Sequence, residues 1–474
     1  MLFPTVEYAL FFMLVLGASW SLAKHLEWQK AFLLIASYVF YGFWNWGLVQ
    51  LLVYISLFAG LVAQQIQKNK YNKKEKKRWL IFGIVVCLGV LVFYKYTEFL
   101  ILSFLDFLGL FGITSSITPE PAGLPPLGIS FFVFHAISLL VDVYRDKLKS
   151  RLEIGDALLY VAFFPQLIAG PILRASYFIP QLKKPRDPEH IRMNWAFMMI
   201  VMGLFKKVVI ANTMAGIVDP IFASPESYSG SDILFATYCY SAQIYCDFSG
   251  YTDIAIGCAM LLGFRFPKNF NSPYMSASPQ EFWRRWHITL STWLRDYLYI
   301  PLGGARKGQW RTNLNLMITM LLGGLWHGAN WTFVLWGALH GFYLVVHRLW
   351  NSIRWSPLQR MRKTIAWRWI ARLLLFHAIC FSWLFFRASS FEITLECIKR
   401  LCDWGSFTML TVPVVTMLFL GVFGQYTPRK YLGRLEIQLA RCPVFVRGII
   451  LAIAIFIIDL LGPTGIAPFI YFQF

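Results

Sequence analysis

Apolar runs of nearly bilayer-spanning length follow one another through this chain and decide its fold class before any single residue is considered. Residues 8–22, 31–46, 48–62, 80–92 and 129–143 are the first of them. With their flanks, most reach the roughly 17 to 25 residues that cross a hydrocarbon layer of about 30 Å. In lipid every backbone N–H and C=O must be satisfied internally, and for long apolar segments the α-helix does this within the segment. Because 57% of the 474 residues are hydrophobic and only 14% charged, the expectation is an all-α polytopic membrane protein. With no repeat or low-complexity linker to divide it, it reads as one integral domain over residues 1–474.

Forty-four Lys and Arg stand against 24 Asp and Glu, a formal charge of +20. In a soluble chain that excess would point to nucleic acid. Here the bases sit in short loops between apolar runs: Lys68 to Arg78, Lys183, Lys184 and Arg186, and Arg306, Lys307 and Arg311. Positive-inside bias places those loops in the cytoplasm and accounts for the charge without nucleic acid. Counting from them predicts about twelve crossings. Residues 99–111 are expected to be interfacial or re-entrant. Residues 159–173, interrupted by Pro165, Gly170 and Pro171, are expected to enter and turn back, and 314–347 to go out and return.

The eight cysteines are scattered, with no CxxC pair and no metal-ligand spacing, so neither a disulfide frame nor a metal site is expected.

Two histidines stand out. His327 lies in Leu322-Gly323-Gly324-Leu325-Trp326-His327-Gly328-Ala329-Asn330, and an ionisable group at bilayer depth is by default a functional candidate. A helix starting near Asn313 puts it roughly 20 Å from the cytoplasmic end. An imidazole there either hydrogen-bonds a neighbouring helix or takes a proton from an attacking hydroxyl and returns it to a leaving thiol. The second histidine, His287, lies in Glu281-Phe282-Trp283-Arg284-Arg285-Trp286-His287-Ile288-Thr289. Read as one helix, Trp286, Leu290, Trp293 and Tyr297 share a face, an amphipathic pattern suited to the headgroup region. Its functional reading has Trp283, Trp286 and Arg284, Arg285 or Arg295 binding a nucleotide or pantetheine phosphate beside His287. Asp247 and Asp253 are expected to pair with arginines or hydroxyls. His135, His340 and His347 are expected to be packing or interfacial groups.

Taken together these segments resemble the membrane-bound O-acyltransferase superfamily, in its bacterial polysaccharide O-acetyltransferase branch. The likeness runs through Pro126-Leu127-Gly128-Ile129-Ser130-Phe131-Phe132, Phe163 to Pro171, Tyr245-Cys246-Asp247-Phe248-Ser249-Gly250-Tyr251, Trp283 to Leu290 and Trp326-His327-Gly328, a motif region of about 126–347. The resemblance implies a ring of about twelve helices, with re-entrant and interfacial ones, around a central tunnel. It makes His327 the catalytic residue and His287 the second active-site residue. It further implies acetyl taken from a cytoplasmic thioester, acetyl-CoA, with no permanently bound cofactor, and delivered through a separate periplasmic transferase in a bacterial inner membrane. Peptidoglycan is the expected polymer, favoured by the compact length, and alginate the alternative. A transporter or a scaffold for the periplasmic enzyme, making no bonds itself, is the reading from a different class.

Overall fold

The computed structural model describes residues 3–113, 125–463, 465 and 469–470. Those residues are helical with no strand among them, and they cluster into two compact units. The first comprises residues 1–191 with 258–266, and the second 192–257 with 267–474.

In the first unit α1 (Val6–Ser21), α2 (Leu26–Gly42), α3 (Trp46–Lys68), α4 (Lys73–Lys95) and α5 (Thr97–Gly109) precede the buried α6 (Ile129–Tyr144). Asn45 caps α3, its Oδ1 accepting the Gly47 amide at 2.8 Å, and Asn72 caps α4 in the same way through the Glu75 amide at 3.2 Å. A Cβ on Gly83 would lie 2.7 Å from Leu140 and 3.0 Å from Val62, so α3, α4 and α6 pack closely there. α5 has only 13 residues and buries none of them, in keeping with a segment that makes no crossing of its own.

The proline-broken stretch becomes α7 (Ile154–Ala162), the single turn α8 (Phe164–Leu167), an extended strand of chain, and α9 (Ala175–Leu182). Irregular buried backbone requires hydrogen-bond partners, and it has them. The Phe164 amide donates to Ser37 Oγ (3.1 Å), the Leu173 amide to His135 Nε2 (3.3 Å), and the Tyr160 hydroxyl to the Leu173 carbonyl (2.7 Å). Gly128 explains its own motif: its φ is +73° and a Cβ would stand 2.9 Å from the Leu167 carbonyl oxygen.

The second unit holds α10 (Met193–Leu204), a π-helical segment Phe205–Ala211, α11 (Asn212–Ala223) and most of α12 (Gly230–Leu261). Then follow α13 (Pro279–Arg285), α14 (Ile288–Leu294), α15 (Gly308–His327), α16 (Trp331–Ser352), α17 (Ser356–Arg362), α18 (Ile365–Arg387), α19 (Phe391–Arg400), α20 (Val412–Phe423), α21 (Arg429–Arg441) and α22 (Val444–Leu461). Five helical stretches among the described residues are long and apolar enough to cross a membrane: Trp46–Lys68, Lys73–Lys95, Met193–Ala223, Ile365–Arg387 and Val444–Leu461. α22 leaves Phe445, Ile453, Phe456 and Leu460 exposed, a surface suited to lipid and not to water. The protein is a multi-pass membrane protein.

Candidate active site

α13 begins in a well-capped turn: Ser278 Oγ accepts the Glu281 amide (3.2 Å), Pro279 occupies the first position, and Glu281 Oε2 accepts the Ala277 amide (2.9 Å). The continuous amphipathic helix read from the sequence does not form. Trp286 is extended, His287 takes φ +39° and ψ +54°, and α14 restarts at Ile288. A left-handed conformation in a residue with a branched-off ring costs about 1–3 kcal/mol and persists only where the surroundings impose it. Here Asn269, 18 residues upstream, imposes it. Its carbonyl accepts the Ile288 amide at 2.8 Å, and its Oδ1 accepts the Thr289 amide (3.2 Å) and hydroxyl (2.9 Å). A helix start built from a distant residue leaves no trace in local periodicity, which is why 283–297 reads as unbroken.

The same Oδ1 lies 3.2 Å from His287 Nδ1. His287 is fully buried, with Phe248 edge-on at 4.6 Å between ring centres, and its Nε2 has no hydrogen-bond partner among the described residues.

His327 closes α15. The helix starts at Gly308, earlier than the Asn313 start read from the sequence, so His327 stands roughly 29 Å along its axis. Asn330 caps α16 through the Thr332 amide (2.9 Å), and its side-chain NH2 ties the α15–α16 turn to the Ser389 carbonyl (3.0 Å) in the segment after α18. The 314–347 stretch thus folds into two helices joined by a short turn, and neither is among the five stretches long and apolar enough to cross a membrane. Gly324 and Gly337 permit the close packing: a Cβ on Gly324 would lie 2.2 Å from the Phe333 carbonyl oxygen, and one on Gly337 2.3 Å from that of Met320. Gly328 has an ordinary extended backbone; its small size matters because a Cβ would meet the Phe333 ring at 2.1 Å.

These constraints bring both histidines beside one indole. Trp326 lies 6.1 Å from His287 and 5.0 Å from His327 between ring centres. Trp336 (5.0 Å) and Phe386 (5.1 Å) complete the aromatic wall around His327, which keeps 4% of its surface exposed. Trp283 and Trp286 are buried in the same aromatic region, Trp283 against Trp336 and His340, Trp286 against Phe282 and Trp383. Of the arginines, Arg285 binds Glu281 (2.9 Å) and the Asn271 carbonyl (3.0 Å), Arg295 binds Asp296 (2.7 Å), and Arg284 is exposed.

His340 Nε2 lies 3.1 Å from Ser382 Oγ, whose hydroxyl donates to the Ile379 carbonyl (2.7 Å). His347 contacts Asn351, and His135 belongs to the first unit.

Asp247 and Asp253 pair with lysines, not with the arginines or hydroxyls foreseen. Lys207 Nζ reaches Asp247 at 2.7 Å and Lys206 Nζ reaches Asp253 at 2.5 Å. Both lysines ride on the π-helical segment, a feature often found at functional sites, and Gly203 lets that segment approach α12, a Cβ there lying 2.6 Å from the Gly250 carbonyl oxygen. The sequence signal was available: a Lys-Lys pair inside an apolar run demands partners. A cavity of about 370 Å³ lies beside them, lined by Lys206, Tyr245, Asp253, Lys268, Asn269 and Phe270 among others. Asn269, which no motif had singled out, thus touches both the cavity and His287.

The chain is 35% identical to the "Probable alginate O-acetylase AlgI" of Pseudomonas putida, over 94% of this chain and 95% of that protein. It is 39% identical to the "Peptidoglycan O-acetyltransferase" of Helicobacter pylori, over 80% of this chain and 74% of that one. The "Teichoic acid D-alanyltransferase" of Bacillus subtilis is 28% identical over 56% of this chain. Residues 86–386 match the membrane-bound O-acyltransferase family, and that span includes both histidines, Trp326 and Asn269. The chain therefore belongs to the membrane-bound O-acyltransferase family, in its polysaccharide O-acetyltransferase branch, and is an O-acyltransferase.

Proposed function

We propose that this protein takes acetyl from a cytoplasmic thioester, acetyl-CoA, and passes it across a bacterial inner membrane for O-acetylation of an extracytoplasmic polysaccharide. The observation that carries this reading is the placement of His287 and His327 beside one buried indole, with His287 Nε2 open. Transfer needs a base for the attacking hydroxyl and an acid for the departing thiolate. In our reading His327 takes the hydroxyl proton as the oxygen bonds to the acyl carbon and the carbon–sulfur bond breaks, and the proton then passes to the sulfur. His287 lines the same reaction space. Arg284, Arg285 and Arg295, with Trp283 and Trp286, remain the proposed contacts for the donor's phosphates and pantetheine arm. The proposed scaffold is one domain, a ring of about twelve helices around a tunnel, working with a periplasmic transferase that modifies the polymer.

Peptidoglycan is the polymer in this reading, resting on the Helicobacter relative. Alginate is the second reading, favoured by alignment to nearly the whole of the Pseudomonas putida protein. That alignment also removes compact length as an argument between the two. Deletion of the gene followed by mass analysis of O-acetyl on wall sugars and on secreted uronate polymer separates them. The enzyme reading is tested with purified protein and radiolabelled acetyl-CoA. Release of free CoA dependent on both histidines is expected; a transporter or scaffold releases none, and that result overturns the proposal.

A further inference from the structure

We infer that Asn269 is the positioning residue that locks His287 in its Nδ1–H tautomer, so that Nε2 presents a lone pair to the reacting group. The inference rests on the reading of His287 as an active-site residue. The Thr289 backbone N–H can only donate, and it meets the Asn269 side chain at 3.2 Å through Oδ1. That contact identifies the atom as the amide oxygen and sets the orientation of the amide, and the Thr289 hydroxyl donates to the same oxygen at 2.9 Å. His287 Nδ1, 3.2 Å from this same oxygen, must then carry the proton. In a neutral imidazole the other nitrogen carries the lone pair, and here that nitrogen is the buried, unpartnered Nε2.

Two further features separate this arrangement from a capping contact that happens to include a histidine. The φ of +39° at His287 is a strained conformation, and the three bonds to Asn269 Oδ1 hold it. The Asn269 side-chain nitrogen has no partner among the described residues, and the residue lines the cavity of about 370 Å³, so an occupant of that cavity contacts the group that orients His287. Phe248, Phe270 and Trp326 present rings to the imidazole. Of the titratable groups on those elements and along the cavity, Asp247 beside Phe248 is held by Lys207 and the Ile470 amide, Asp253 is paired with Lys206, Lys268 flanks Asn269, and His327 adjoins Trp326. A carboxylate in place of the amide is therefore a new charge against His287.

The test uses the full chain in lipid nanodiscs, with acetyl-CoA as donor probe and thiol release as readout. Asn269→Ala is expected to lower kcat about 10- to 100-fold, the range typical of losing a group that orients a histidine, with KM for acetyl-CoA changed less than about threefold. Asn269→Asp keeps every acceptor contact; it is expected to recover most of that loss and to shift the acid limb of the pH–rate profile upward by about one unit or more, because a carboxylate favours the imidazolium. A merely structural role predicts no shift. Should Asn269→Ala fail to accumulate, the Asn269→Asp profile decides alone. An Asn269→Asp profile superimposed on the unsubstituted protein's, with His287→Ala inactive, overturns this inference and leaves the proposed function standing. Full activity of His287→Ala, or no thiol release by the unsubstituted protein, overturns the site reading and the inference with it.

Discussion

Trp326, His327 and Gly328 occupy three consecutive positions and have three separate physical jobs. Trp326 adjoins both imidazoles, His327 ends α15 within an aromatic wall, and Gly328 leaves room for the Phe333 ring that packs on Phe386 beside His327. His327→Ala removes the ring and its contact with Trp336 but leaves the glycine-mediated backbone approaches of the hairpin in place. It is expected to reduce acetyl transfer by at least about 10³-fold while membrane abundance stays near normal, as measured by radiolabelled acetyl transfer and quantitative immunoblot; normal transfer by that variant contradicts the catalytic assignment. Gly328→Ala is expected to behave oppositely, lowering abundance as well, since its Cβ would overlap the Phe333 ring at 2.1 Å. Forced overpacking of this kind costs about 1–3 kcal/mol.

Between elements, the close approaches depend on paired small residues and paired charges. Gly324→Ala drives a methyl against the α16 backbone, where Phe333 O lies 2.2 Å and Gly337 Cα 3.1 Å from the added carbon. It is expected to lose most activity and several degrees of thermal stability, whereas Gly216→Ala on α11, with nothing within 4 Å, is expected to be neutral or mildly stabilising. The Lys207–Asp247 pair has side-chain exposures of 4% and 3%. Removing one member strands a buried charge, at a cost of about 3–5 kcal/mol, while neutralising both costs far less. Lys207→Met is thus expected to deplete folded protein, and Lys207→Met with Asp247→Asn to restore most of it. Fluorescence-detected size exclusion reads this directly, and equal loss in both variants argues against the pair as the cause.

For the whole molecule the decisive property is sidedness. If the donor is cytoplasmic, sealed inside-out vesicles release CoA from added acetyl-CoA, and sealed right-side-out vesicles do so only after permeabilisation. Equal activity in both sealed preparations contradicts that orientation.

The helical, membrane-embedded class of this protein was legible from its amino acids, because burying backbone in lipid leaves few alternatives and the apolar runs recur at spanning length. The Trp-His-Gly and Trp-Arg-Arg-Trp-His motifs were legible too, since charged or titratable groups in apolar surroundings are too costly to be incidental. Periodicity misled at 286–287, where the chain looks continuously helical yet breaks, because the cap for α14 comes from Asn269. That Lys206 and Lys207 need partners was legible, but that those partners are Asp253 and Asp247 was not, since the lysines lie on a separate π-helical segment. Local sequence carries propensity and polarity along the chain; which distant amide orients an imidazole, and which lysine meets which acid, arise only when helices pack and each buried donor or acceptor must find a partner in space.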